Sequence, residues 1–208
     1  MLTKNKRVKI ITKKLISLFP SGAIELQYNN VWELLVAVIL SAQTTDNIVN
    51  KVTDRLFGKY TNLNDYINAD IFEFEKDIYP TGFYHTKAKH IIECAHIIKN
   101  KYDEQIPSTM EELLKLPGVG RKTANIVLTQ GYGIVSGIAV DTHVKRLSRI
   151  WGLTESKDQQ KIEKDLMKLL PKSEWAGFSY RTIAYGRAYC KAKFHNHAIC
   201  PLTELLQR

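Results

Sequence analysis

Leu116-Pro117-Gly118-Val119-Gly120-Arg121-Lys122-Thr123-Ala124-Asn125-Ile126-Val127-Leu128 is the stretch on which the fold turns. Thr109 to Leu116 has helical apolar spacing and stops at Pro117-Gly118, and the spacing resumes at Arg121. Upstream, Ser108-Thr109-Met110-Glu111 fits a capping box, in which the Ser108 hydroxyl accepts from the amide three residues on and Glu111 reaches back. The pattern is helix, tight glycine hairpin, helix. Gly118 and Gly120 let backbone amides turn outward and let another backbone come close, while the second helix presents its N-terminal amides and positive dipole end. That geometry suits a phosphate. A plain helical corner, with the glycines serving only their backbone angles, explains the same letters. The basic pair Arg121-Lys122 favours the phosphate.

The rest of the chain agrees with an acidic partner. Its 208 residues are 44% hydrophobic and 25% charged, enough for a sizeable core in one or two domains. Thirty Lys and Arg against twenty-one Asp and Glu leave a net charge of +9, with a pI near 9.4. The longest apolar run, Leu34 to Leu40, is far short of a membrane span. Lysines scattered through the first twenty residues break any signal-peptide core, so a cytoplasmic protein is expected. Three cysteines, Cys94, Cys190 and Cys200, are too few for a disulfide framework.

Apolar residues recur at three-and-four spacing almost throughout, and no stretch alternates long enough for a half-buried strand, so the chain reads as all-α. Helices are expected over about 3–18, 32–42, 46–57, a short pair within 64–78, and 85–101. They continue over about 109–116, 121–130, 142–151, 157–169 and 175–191. The uncharged segment Gly131 to Gly137, with three glycines, is where the chain would pass between lobes.

Four segments in order carry a family resemblance. LPGVGRKTANIVL resembles the helix-hairpin-helix of the endonuclease III group of DNA glycosylases, and the following Val140-Asp141-Thr142-His143 resembles the segment bearing that group's aspartate. Leu40-Ser41-Ala42-Gln43-Thr44-Thr45-Asp46 is a third match, and Pro80-Thr81-Gly82-Phe83-Tyr84 with Lys87-Ala88 a fourth. The resemblance implies a two-lobed helix-hairpin-helix glycosylase fold with the active site in the interlobe cleft. Residues 22–135 would form a six-helix lobe, and 1–21 with 136–208 a discontinuous second lobe.

The implied chemistry is removal of an oxidised pyrimidine from duplex DNA and cleavage of the abasic site. An amine suits both steps, because its Schiff base with the opened sugar acidifies the C2′ proton and permits β-elimination. By the resemblance Lys122 is that amine; relatives that only remove the base carry another residue there. Asp141 is the carboxylate, stabilising charge at C1′ or moving protons, and it also suits the N-cap of the helix it opens. Ser41 and Gln43 would enter the duplex to fill the space of the extruded nucleotide, with Phe83 as an apolar wedge. Gly118, Val119, Gly120 and Arg121 would hold the backbone with His143, Lys145 and Arg146. The lysines at 157, 161, 164 and 168 are interspersed with acids and read as a solvated face.

The sequence departs from the family at its end. Many members hold a four-iron four-sulfur cluster with C-x6-C-x2-C-x5-C; counted from Cys190, this chain has His197, Cys200 and Leu206 there. No cofactor is therefore expected, and the iron-sulfur cluster least of all. Cys190, His195, His197 and Cys200 supply donor types that zinc accepts, but at a spacing that matches no common zinc module. Cys94 reads as a core thiol. The expected partner is damaged double-stranded DNA, bound by a monomer without any membrane. An abasic-site lyase, a mismatch-directed glycosylase and a catalytically inactive hairpin module that only binds DNA stay open beside this reading.

Overall fold

The computed structural model describes residues 2–21, 25–193 and 195–205. Gly22, at the expected lobe boundary, and Leu206, at the fourth cluster position, lie outside the described residues. Among the described residues every regular element is helical. They are α1 (Lys4–Leu18), α2 (Val31–Leu40), α3 (Asp46–Lys59), α4 (Leu63–Ile67), α5 (Ile71–Ile78) and α6 (Tyr84–Tyr102). There follow α7 (Met110–Leu113), α8 (Arg121–Tyr132), α9 (Thr142–Ile150), α10 (Gln159–Leu169) and α11 (Trp175–Ala188). No described helix is long and apolar enough to cross a membrane.

Two compact units result: residues 25–136, and residues 1–24 with 137–208. The first contains α2 to α8 and is built on α2, whose sequence VWELLVAVIL is apolar on every side and buried from Glu33 to Leu40. Asn30 caps it by accepting from the Glu33 amide, and the Glu33 carboxylate accepts in return from Asn29 and Asn30. Helices α3, α6 and α8 pack on it. A Cβ on Gly131 of α8 would lie 2.9 Å from Val31 Cγ1, so glycine sets how closely those two helices approach. Trp32, Tyr60, Tyr66 and Phe74 stack beside them, with ring centroids from 5.0 to 5.8 Å apart.

In the other unit α1 packs against α10 and α11, burying Val8, Ile11 and Leu15 among Val144, Leu147, Trp151, Leu166 and Phe178. Arg7 is itself buried; its guanidinium donates to the Trp151 carbonyl at 3.2 Å, tying α1 to the end of α9. α9 carries its apolar residues on one face and its basic ones on the other, as the sequence spacing requires.

Candidate functional site

The hairpin between α7 and α8 takes its shape from two different glycines. Gly118 has φ +73, and a Cβ there would sit 2.6 Å from His90 Nδ1 on α6, so both its backbone and its surroundings require glycine. Gly120 is the N-cap of α8 in extended conformation, with no side-chain cap, and a Cβ there would meet nothing within 4 Å. The space beside Gly120 at the start of α8 is open, and open space beside a helix N-terminus suits an anion. Val119 between them is buried, and its amide donates to the Leu116 carbonyl at 3.2 Å, closing the turn. The cap of α7 also differs from expectation. Thr109, not Ser108, accepts from the amide three residues on, that of Glu112, because Thr109-Met110-Glu111-Glu112 offers the same spacing one residue later. The buried Cys94 thiol of α6, which burial pushes up to about 12, donates to the Pro117 carbonyl and braces the hairpin.

Lys122 is the second residue of α8 and its side chain is exposed. Asp141 caps α9, its Oδ1 accepting from the Val144 amide at 2.8 Å, and is half-buried. The cap fixes the carboxylate without burying it. His143 packs inward: a Cβ on Gly186 of α11 would lie 2.3 Å from its Nδ1. Lys145 is half-buried on α9. Arg146, expected on phosphate, donates to the Cys190 carbonyl at 2.5 Å and approaches Cys190 Sγ at 3.6 Å. The Cys190 loop lies within reach of α9, a long-range contact that sequence spacing does not reveal.

Two exposed loops carry the remaining expected residues. Ser41 caps the end of α2, donating its hydroxyl to the Val38 carbonyl, and Gln43 follows with φ 57. Phe83, 65% exposed, has φ 49 directly before α6. Left-handed backbone at non-glycine residues is strained and persists only where surrounding structure enforces it. Lys87 does so here. The residue is 4% exposed, and its ammonium donates to the Leu40 carbonyl at 2.8 Å, to the Thr44 hydroxyl at 3.1 Å and to the Thr81 carbonyl at 2.8 Å. The Thr44 hydroxyl donates in turn to the Thr81 carbonyl. One buried lysine thereby ties the Gln43 loop to the Phe83 loop, and burial alone holds it down at about 8. Sequence spacing named Lys87 only as a family marker. Its position in the stripe Lys87, Ala88, Ile91, Cys94, Ala95 and Ile98, all buried, is the signal that could have shown its role.

The Cys190, His195, His197 and Cys200 donor atoms lie within 4.8 Å of one another, a group able to bind a metal ion.

Comparison with known proteins fits this arrangement. Residues 36–172 match the HhH-GPD superfamily of base excision DNA repair proteins, which defines the class. Endonuclease III of Synechocystis sp. is 46% identical over 205 residues, covering 99% of this chain and 94% of that protein. Endonuclease III of Bacillus subtilis is 43% identical, covering 96% and 91%. A solved non-covalent endonuclease III-DNA complex superposes with a TM-score of 0.93 at 44% identity, covering 99% of this chain and 95% of that one. A trapped covalent endonuclease III-DNA intermediate does so with the same score and identity, covering 99% and 96%. The chain belongs to the endonuclease III family.

Proposed function

We propose that the chain is a bifunctional DNA glycosylase and abasic-site lyase of base excision repair that acts as a monomer on oxidised pyrimidines in duplex DNA. The observation that carries the reading is the exposed Lys122, two residues beyond the open Gly120 at the start of α8. The Lys122 nitrogen attacks C1′ and the damaged base departs with a proton. Ring opening gives the Schiff base, the C2′ proton is removed, and the 3′ phosphate leaves by β-elimination. Water then hydrolyses the imine and frees the lysine. Asp141 supplies the carboxylate, stabilising positive charge at C1′ and moving protons. Its cap bond to Val144 fixes its position before substrate arrives.

Gln43 and Phe83 fill the stack from the two loops joined by Lys87, offsetting an unstacking cost of about a few kcal/mol per step. Gly118, Gly120 and Arg121 hold backbone phosphate. The covalent protein-DNA intermediate solved for a relative at 44% identity supports the covalent route. Action on DNA suits a protein of the cytoplasm.

The four-iron cluster of many relatives does not fit this chain. Such a cluster takes four thiolates, and the C-terminal segment has two, Cys190 and Cys200. No step of the reaction is assigned to it.

A duplex carrying one oxidised pyrimidine tests the reading. The protein should release the base and leave a nick with a 5′ phosphate, and Lys122→Ala should lose the nick. A wild-type protein that is folded and binds the duplex, yet leaves both base and strand intact across a panel of oxidised pyrimidines, overturns it.

A further inference from the structure

We propose that Cys190, His195, His197 and Cys200 form a tetrahedral zinc site that clamps the C-terminal segment where relatives place an iron-sulfur cluster. Two thiolates and two imidazoles are a donor set that zinc accepts, and two thiolates neutralise its charge.

The geometry is that of one ion. Zinc bonds of about 2.0–2.3 Å place the donors of a tetrahedron about 3.3–3.8 Å apart. Cys200 Sγ stands 3.5 Å from His195 Nε2 and 3.9 Å from His197 Nδ1, and all four donors lie within 4.8 Å of one another. In an iron-sulfur cubane each thiolate would hold a separate iron at a corner, which spreads the sulfurs further.

The surroundings prepare the ligands. His195 Nδ1 lies 3.0 Å from the Lys193 carbonyl, which only accepts, so that nitrogen carries the proton and Nε2 keeps its lone pair toward Cys200. A backbone carbonyl orienting a histidine from its far nitrogen is the usual outer support of a zinc ligand. Arg146 of α9 approaches Cys190 Sγ at 3.6 Å and donates to its carbonyl, supporting the thiolate from the other side. Both cysteines are buried while the imidazoles lie nearer the surface, which gives an ion a way in. The clamp joins the end of α11 to the 3₁₀ turn at His197–Ile199 and holds Lys191 and Lys193 between them.

The full chain, expressed with zinc and purified without chelators, should contain one zinc per molecule by mass spectrometry of its metals. Metal-free protein titrated with cobalt(II) should give tetrahedral absorption with a thiolate-to-cobalt band. His197→Ala removes one of the four donors and should weaken cobalt binding by at least about a hundredfold while the circular dichroism stays helical. Because wild-type protein carries the first two readouts, a variant that fails to fold leaves the test intact. Folded protein that retains no zinc and gives no cobalt band overturns the proposal. So does stoichiometric iron with acid-labile sulfide, or a Cys190–Cys200 disulfide in the protein as isolated. None of these readouts depends on DNA cleavage.

Discussion

Replacing Lys87 by methionine removes the ammonium that joins the Gln43 and Phe83 loops and leaves the volume nearly unchanged. The Thr81 carbonyl keeps the Thr44 hydroxyl as a donor, whereas the Leu40 carbonyl at the end of α2 loses the buried ammonium. An orphaned carbonyl costs about 1–3 kcal/mol and lost bonds from a charged donor add to it, while release of the buried charge offsets part, for a net of about 2–3 kcal/mol. Applied to the loops, that energy lowers the equilibrium ratio of the left-handed Gln43 and Phe83 conformations to their alternatives by about 30- to 150-fold. Single-turnover cleavage at an abasic site in a duplex, where the wedges must replace stacking, should fall by at least tenfold. Cleavage of the same site in single-stranded DNA should stay within about twofold, because little stacking has to be replaced there. Equal loss of activity on both substrates, or an unchanged duplex rate, would refute a role for Lys87 in holding the two loops.

The remaining predictions separate the parts of the site. Burial lowers Lys87 from 10.5 to about 8, so between those values the unfolded chain keeps a proton that the folded chain has released. Stability of wild type relative to Lys87→Met should therefore rise as pH increases from about 8 toward 10, as thermal melts of the pair would show. Gly118→Ala meets His90 at positive φ and should destabilise by about 1–3 kcal/mol in denaturant melts. Gly120→Ala should melt like wild type yet bind duplex DNA more weakly by electrophoretic shift, since its methyl occupies only the open space beside the turn. Asp141→Asn keeps an N-cap and should hold its stability within about 0.5 kcal/mol while base excision falls by about a hundredfold. Asp141→Ala should additionally lose about 1 kcal/mol of stability through the missing cap.

Local chemistry made much of this site legible. The Leu116 to Leu128 stretch shows its turn in the letters, because proline and glycine stop one helix and regular spacing starts the next. Asp141 reads as a cap because its side chain meets its own helix three residues on. Contacts between distant segments could not be read this way. Cys94 on Pro117, His90 against Gly118, Arg146 on Cys190 and the three acceptors of Lys87 join residues far apart in sequence. The helix expected over 32–42 ends at Leu40 because Ser41 takes the cap and Gln43 turns left-handed, a choice enforced by Lys87 from α6. Cys190, His195, His197 and Cys200 were legible as donor types but not as one group, because their spacing fits no common module and it is the fold that brings their donor atoms within 4.8 Å of one another.

The role of Lys122 as the attacking amine is read out by borohydride trapping on a duplex with a single abasic site, followed by mass mapping of the modified peptide. A stable protein-DNA adduct should form on Lys122, and Lys122→Ala should abolish it while still binding the duplex. An adduct on another residue, or none from folded wild-type protein that binds the same duplex, would contradict that role.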